Sequence, residues 1–540
     1  MWQQNYHPHS QSTVLSAVVA AIPILMLLWL LGIAKKSAWL SSILGLASAL
    51  LVAIAWYGMP AGLAVSSAAY GAAFGLFPIA WIVFWAILLY RLTVESGNFE
   101  IIKEYVGGLT PDHRIQALLI AFAFGAFIEG AAGFGTPVAV AAAMLAGLGF
   151  SPFYAAAICL LANTAPVAFG SIGIPIVTLH GTTGLPLSVL SSNIGRICAP
   201  VSLFIPAYLV LVMSGVRGLA GVMPAAVLCG LVFAGSQFLI SNWLGPYLTD
   251  IIGSLASILA LILLLRFWQP AKLFQLETQQ SGRSMRRYLP RQIALAWLPY
   301  GFLVLFVLLW GLNGVKLMLD RATIIFSWPA LHNLVIRTPP LVSVSSPYPA
   351  LFTLNLLTAS GTACLFAVFA SAIALRIPFR KLAEMFVATA RQLALSMVTI
   401  AAVFALAFVM NYSGATTSLG LAFAASGSLF PFFSPMLGWL GVFLTGSDTS
   451  ANALFGNLQV VTARTLHLSP ALMAASNSSG GVMGKMISLQ SIAVAAAATG
   501  LASSQESKLF RFTLRHSLLL VFVVGVITVV YAYVLPHWAK

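Results

Sequence analysis

Two stretches of this 540-residue chain set an acid beside glycines and hydroxyls inside otherwise apolar sequence. FIEGAAGFGTPVAV begins at Phe127 and carries Glu129; FLTGSDTSANALFGN begins at Phe443 and carries Asp448. A charge at mid-bilayer costs roughly 2.5–3.5 kcal/mol or more, so acids in such surroundings point to a use. In GFGTPV, Gly133 and Gly135 allow a tight turn, Thr136 fits an N-cap and Pro137 fits the first helical position. The pattern predicts a helix starting near Pro137, whose free N–H groups and positive dipole end would face an anion. In TGSDTSAN, which opens with Thr445, the hydroxyls of Ser447, Thr449 or Ser450 would cap a helix running through Asn452. Such a dipole contributes about 0.3–2 kcal/mol, enough to orient a carboxylate but not to bind it alone.

Two cations could supply the rest. Arg196 lies in SSNIGRICAP and Lys485 in GGVMGKMIS, both inside apolar segments. A guanidinium grips a carboxylate through two parallel bonds; the plainer reading of either residue is a helix-end charge snorkelling to the interface. Burial disfavours the charged form of a carboxyl, so Asp448 and Glu129 are the candidates to carry a coupling proton. Against that stands the role of a helix-end acceptor that never titrates. His180 and His332 fall in loops and read as structural. Paired Cys motifs, HExxH and GxxxxGK[ST] are all missing, so neither a metal nor a cofactor is expected.

The elements that must hold these residues are membrane helices. The chain is 60% hydrophobic and 7% charged, where soluble domains carry about 25% charge. It reads as an all-α, polytopic integral membrane protein with about 12–14 transmembrane helices, surrounded by lipid. Its net charge of +15 lies in short loops between spans, the positive-inside pattern, and not in a nucleic-acid surface. The four cysteines are scattered through apolar segments and read as small core residues. Several apolar runs near the two motifs are too short to cross, as half-helices and re-entrant hairpins are. The motifs recur in order: ANTAPVAFGSIG resembles SNSSGGVMGKMIS, pairing Asn163 with Asn477 and Gly170 with Gly484, and SPFYAAA resembles SPALMAA. Hence two repeats are expected, each with broken or re-entrant helices: an N-terminal transmembrane half over residues 1–265, a basic cytoplasmic loop over 266–292, and a C-terminal half over 293–540. Spacing alone does not fix whether the repeats are parallel or inverted.

Lys35 and Lys36, the cluster Arg266, Lys272, Arg283, Arg286, Arg287 and Arg291, the cluster Arg376, Arg380, Lys381 and Arg391, and the cluster Lys508, Arg511 and Arg515 mark cytoplasmic loops. Both termini are then extracytoplasmic, and residues 313–349, rich in proline, form a long external loop. Residues 91–108 are amphipathic and read as an interfacial helix.

EGAAGFGTPVAVAAAML, LHNLVIRTPP, PYPALFTLN, MNYSG, GWLGVFLTGSDTSANALFGNLQ and GGVMGKMISLQSIA together resemble the bacterial L-lactate permease family over nearly the whole chain. The long run from Gly438 is the most specific. The resemblance implies a carrier in the cell inner membrane for lactate and often glycolate, coupled to protons, with inverted repeats and re-entrant hairpins. It implies a site in the stretches from Glu129 to Thr136 and from Thr445 to Asn452, with Arg196 and Lys485, and does not settle which acid titrates. With the recurring motifs, the expected substrate site comprises Gly133, Gly135, Thr136, Asn163, Arg196, Thr445, Ser447, Thr449, Ser450, Asn452, Asn477 and Lys485, and the expected proton carriers are Asp448 and Glu129. The expected function is uptake of L-lactate, with glycolate or D-lactate beside it, by proton symport through alternating access. The alternative within transport is a Na⁺-coupled carrier of another small organic anion, since unwound carbonyls could hold Na⁺. A membrane enzyme or a respiratory proton channel would need paired ligands, a nucleophile with its base or a chain of buried acids, which the sequence does not supply. Oligomeric state is illegible, because a lipid-facing surface and a subunit interface are equally apolar.

Overall fold

A computed structural model describes residues 1–8, 12–133, 135–275, 288–342 and 344–539. The basic cluster expected at Arg283, Arg286 and Arg287 lies outside the described residues, as does Phe134. Lipid offers no partner for backbone polar groups, so the chain satisfies them within helices. Among the described residues, eleven helices are long and apolar enough to cross a membrane, or up to 12 if the bent pair Pro152–Ala162 and Val167–Thr183 counts as one span. The longest, Leu187–Trp243, has 57 residues and breaks at Gly215 and Val222. At about 1.5 Å per residue it far exceeds a core of about 30 Å, so it supplies two spans. The protein is thus a polytopic helical membrane protein.

The helices pack in two groups. Thr13–Gly32, Ala38–Leu51, Ala61–Phe74, Trp81–Glu95, Pro290–Gly311, Ser360–Ala374 and Phe379–Ser413 lean on one another. The second group holds the two motifs and the elements around them, from Gly125–Ala131 to Thr249–Phe267 and from Phe430–Thr445 to Ser503–Val529. Each sequence half therefore gives its first part to one group and its second part to the other.

Within the second group one order of elements occurs twice. Helix Gly125–Ala131 breaks before Thr136–Gly147; Pro152–Ala162 follows and breaks before Gly170–Thr183. Likewise Phe430–Thr445 breaks before Asp448–Thr465, and Pro470–Lys485 breaks before Leu489–Thr499. The third helix of each set starts alike: Ser151 accepts from the Tyr154 amide and Ser469 from the Leu472 amide, each ahead of a proline, the cap and first-turn chemistry that starts a helix sharply. The sets are also joined reciprocally. Leu489–Thr499 packs on Thr136–Gly147 and Pro152–Ala162, while Gly170–Thr183 packs on Asp448–Thr465. Glycines bring backbones together where helices cross: a Cβ at Gly438 would lie 1.8 Å from the Asn477 carbonyl oxygen, and one at Gly480 2.0 Å from that of Pro435.

Ala415–Phe423 ends and Gly427 (φ 55°) turns the chain before Phe430–Thr445. Two expectations need correction. The amphipathic helix is shorter than 91–108. Residues 91–95 finish the membrane helix Trp81–Glu95, Gly97 (φ 77°) turns the chain, and Asn98–Gly107 buries Phe99, Ile102 and Val106. The loop expected to be external is not irregular throughout. It begins with helix Asn313–Asp320, ahead of its prolines, and continues into strands. Ile324–Ser327 pairs antiparallel with Leu351–Leu354, and Val335–Arg337 lies between Ser346–Pro347 and the N-terminal strand Trp2–Gln3. That N-terminal segment also seals a helix break: the Gln4 amide donates to the carbonyls of Asn411 (2.9 Å) and Tyr412 (2.8 Å) beside Gly414.

Candidate functional site

Both acids are buried, Glu129 at 5% and Asp448 at 3% exposure, and each rests on a glycine. A Cβ at Gly170 would lie 2.6 Å from Glu129 Oε1, and one at Gly481 would lie 2.4 Å from Asp448 Oδ1. Gly481 thus stands to Asp448 as Gly170 stands to Glu129, while the missing Cβ of Gly484 accommodates the Trp439 carbonyl.

Around Asp448 the polar groups form one continuous network. The Ser478 hydroxyl donates to Asp448 Oδ2 at 2.6 Å. The Asn452 amide, one turn along from Asp448, donates toward Asp448 Oδ2 (3.3 Å), Ser478 Oγ (3.1 Å) and the Pro175 carbonyl (3.1 Å). Asn477 donates to Asn452 Oδ1 at 2.9 Å, and Gln459 donates to Asn477 Oδ1 at 3.2 Å. Ser434 closes the chain on Gln459 Oε1 at 2.7 Å. Buried polar groups left unpaired are costly, so this network holds its members in fixed places. Through Pro175 it also ties the second set of broken helices to the first. Asp448 Oδ1 remains buried without a hydrogen-bond partner.

The helix Asp448–Thr465 starts as expected, with Ser447 accepting from the Ser450 amide at 3.2 Å. Thr445 closes the preceding helix by donating to the Gly441 carbonyl at 2.7 Å and receiving the Ser447 amide at 3.2 Å. Between them Gly446 (φ 71°) makes the break, and Lys485, 8% exposed, donates to its carbonyl at 2.6 Å. The ammonium thus sits at the break and interacts electrostatically with both Glu129 and Asp448. A small cavity of ≈ 20 Å³, room for about one water molecule, opens at this helix start, lined by Ser447, Thr449 and Ser450 with Ile174, Val83, Ile400, Val403 and Phe404. It lies where the two helix groups meet, with hydroxyls on one wall and apolar side chains on the other.

The first motif differs in detail. Glu129 Oε2 receives the Asn163 amide at 2.9 Å. Gly133 (φ 61°) has no room for a side chain, because a Cβ there would meet Ser171 Oγ at 1.9 Å. Thr136 is not the N-cap: Gly135 (φ 81°) takes that position without a side-chain bond, and Thr136 is the first helical residue. Arg196 is not brought to the cluster. Its guanidinium, half-buried, donates to Asn242 Oδ1 at 2.9 Å and to the Trp538 carbonyl near the C-terminus. The four cysteines are buried and free. Sequence reasoning missed Ser478, Gln459 and Ser434, whose partners lie 18 to 30 residues away, and the buried acid Asp250. The Asn-Ser-Ser run at 477–479, in the stretch paired with Asn163, was the available signal for Ser478.

A family model described as L-lactate permease matches residues 16–535. The chain is 45% identical to an L-lactate permease of Bacillus subtilis (strain 168), over 98% of both chains. It is 44% identical to an L-lactate permease of Escherichia coli (strain K12), over 99% of both. It is also 44% identical to the glycolate permease GlcA of the same strain, over 99% of this chain and 98% of that one. With its broken helices, buried acids and membrane-spanning architecture, the chain belongs to the L-lactate permease family.

Proposed function

We propose that this membrane protein takes up L-lactate, and glycolate or D-lactate beside it, in symport with a proton by alternating access. The observation that carries this reading is the cavity at the start of helix Asp448–Thr465. Its hydroxyl wall and the free N–H groups of that helix suit the carboxylate and hydroxyl of a 2-hydroxymonocarboxylate, and its apolar wall suits the methyl group. Lys485, held one residue before Ser447, supplies the cation, and Asp448, Asn452 and Asn477 fix the hydrogen-bonding wall behind it. Glu129 and Asn163 form the corresponding polar pair of the first set, with Gly133, Gly135 and Thr136 at its break. Alternating access would move the second helix group, which carries both motifs, against the first. One anion moving with one proton is electroneutral and escapes the ~2.3 kcal/mol per charge per 100 mV that the potential imposes. In this reading the two sets are inverted repeats, the protein lies in the cell inner membrane, and both termini face outward. The curated relatives named as lactate and glycolate permeases support the choice of substrate.

The test is accumulation of radiolabelled L-lactate in proteoliposomes under an imposed pH gradient, comparing the parent with Asp448→Asn. The parent is expected to accumulate lactate and the variant to lose accumulation. Uptake that ignores the pH gradient and follows Na⁺ overturns proton coupling; a folded parent that moves no lactate under either gradient overturns the substrate.

A further inference from the structure

A third acid stands beside the two recognised from sequence. Asp250 lies in the first turn of helix Thr249–Phe267 and is 1% exposed. Both of its carboxylate oxygens are buried without a hydrogen-bond partner, which sets it apart from Glu129 and Asp448, each of which receives at least one donor. Among the described residues no Lys, Arg or His approaches it within ion-pair distance.

Its position follows from a glycine. A Cβ at Gly130 would lie 2.8 Å from Asp250 Cβ and 3.1 Å from the Ile251 amide nitrogen. Only glycine lets the two helices approach this closely, and the approach puts Asp250 against the residue that follows Glu129. The titratable neighbours facing Asp250 are Glu129 from helix Gly125–Ala131 and the Cys198 thiol from helix Leu187–Trp243. Beyond Glu129 come Lys485 and Asp448. Glu129 and Asp448 therefore share the one buried ammonium of Lys485, Asp250 has none, and a substrate anion would add a further negative charge.

A bare ionised carboxylate without a partner is strongly disfavoured in such a place. The carboxyl must be neutralised by something small. A divalent metal ion draws on several side-chain ligands at once, and the described residues hold no group of three or more His, Cys, Asp or Glu able to provide them. A proton needs one oxygen.

We propose that Asp250 is a proton-binding site of this carrier, forming with Glu129 a two-carboxyl station outside the lining of the Ser447–Ser450 cavity. The proposal rests on the symport reading for its role in transport, but not for the binding of the proton itself. In transport, a proton held at this station offsets the charge that the substrate anion brings, and its release resets the empty carrier. Neighbouring buried carboxyls disfavour each other's charged form.

Two measurements test it on the purified full chain. The first is infrared difference spectroscopy across a pH step without substrate, reading the C=O band of a protonated carboxyl. D250N is expected to remove part of that band, and a band identical to the parent's overturns the proposal. If D250N does not fold, D250E replaces it: the band is expected to persist at a shifted frequency, and an unshifted band overturns the proposal. The second is the lactate accumulation ratio at equilibrium in proteoliposomes, which does not depend on the rate of reaching it. A one-unit pH gradient drives about tenfold accumulation in a one-to-one symporter. D250N is expected to fall to the ratio seen without a gradient, and about tenfold accumulation by D250N overturns the proposal. If the parent moves no lactate yet D250N loses the infrared band, the lactate reading fails while the proton site stands.

Discussion

Gly481→Ala isolates the placement of the Asp448 carboxylate from the chemistry of the residue itself. In helix Pro470–Lys485 an added methyl would lie 2.4 Å from Asp448 Oδ1 and 2.9 Å from Val442 Cγ2. The valine methyl can rotate away, but the carboxylate is held by Ser478 and Asn452. Non-bonded heavy atoms settle at about 3.5–4.0 Å, so Asp448 must move by roughly 1 Å. A displacement of that size at a functional group can cost about 100-fold in rate. Glycine-to-alanine exchange inside a helix meanwhile favours folding by up to about 1 kcal/mol, so the variant should remain folded with thermal stability near the parent's. The expected result is a loss of about 100-fold in the initial rate of lactate uptake into proteoliposomes. The control is Gly235→Ala, which meets nothing within 4 Å and should transport as the parent does. Parent-like uptake by Gly481→Ala, with the protein folded, would refute the argument that Asp448 acts from a fixed position.

Lys485→Gln removes the cation proposed to meet the substrate carboxylate at the Gly446 break; hydrogen bonds to charged groups are worth about 1.5–3 kcal/mol, so KM for lactate should rise by about 10- to 100-fold, read from uptake against concentration. Arg196→Gln should leave KM near the parent's, because that guanidinium is engaged with Asn242 and Trp538; a large rise in KM would return Arg196 to the substrate site. Arg114→Ala strands the fully buried Asp112, with which Arg114 pairs at 2.6 Å. Breaking such a pair costs about 3–5 kcal/mol, visible as a lowered melting temperature in detergent. Ser447→Ala removes a helix cap at a cost of about 1 kcal/mol and should lower both stability and uptake.

The two acid motifs were legible because their chemistry is local. Glycine, hydroxyl and proline at fixed offsets announce a break, and Ser447 caps its helix within three residues. The Ser-Pro starts at Ser151 and Ser469 are legible for the same reason. Asp250 was not, since an acid in a first helical turn is what any interfacial helix start looks like; only its contact with Gly130, 120 residues earlier, buries it. The partners of Asn477 and Gln459 depend on how three helices cross, which periodicity does not encode. Arg196 misled because an arginine in an apolar run has the same signature whether it meets substrate or a chain terminus. The strand at residues 2–3 is too short to carry a pattern, and its partner lies more than 300 residues away.

That distant pairing bears on how the protein is made. The Gln4 amide bonds to backbone 407 and 408 residues downstream, and the Ser418 hydroxyl donates to the Tyr6 carbonyl at 2.7 Å. Gln4 and Tyr6 therefore cannot reach their final seat until the chain as far as Ser418 has been synthesised. Until then the backbone on both sides of Gly414 lacks its cover. A bulky group attached beside Gln4 would therefore interfere late in assembly, after the spans before Asn411 are already in the bilayer.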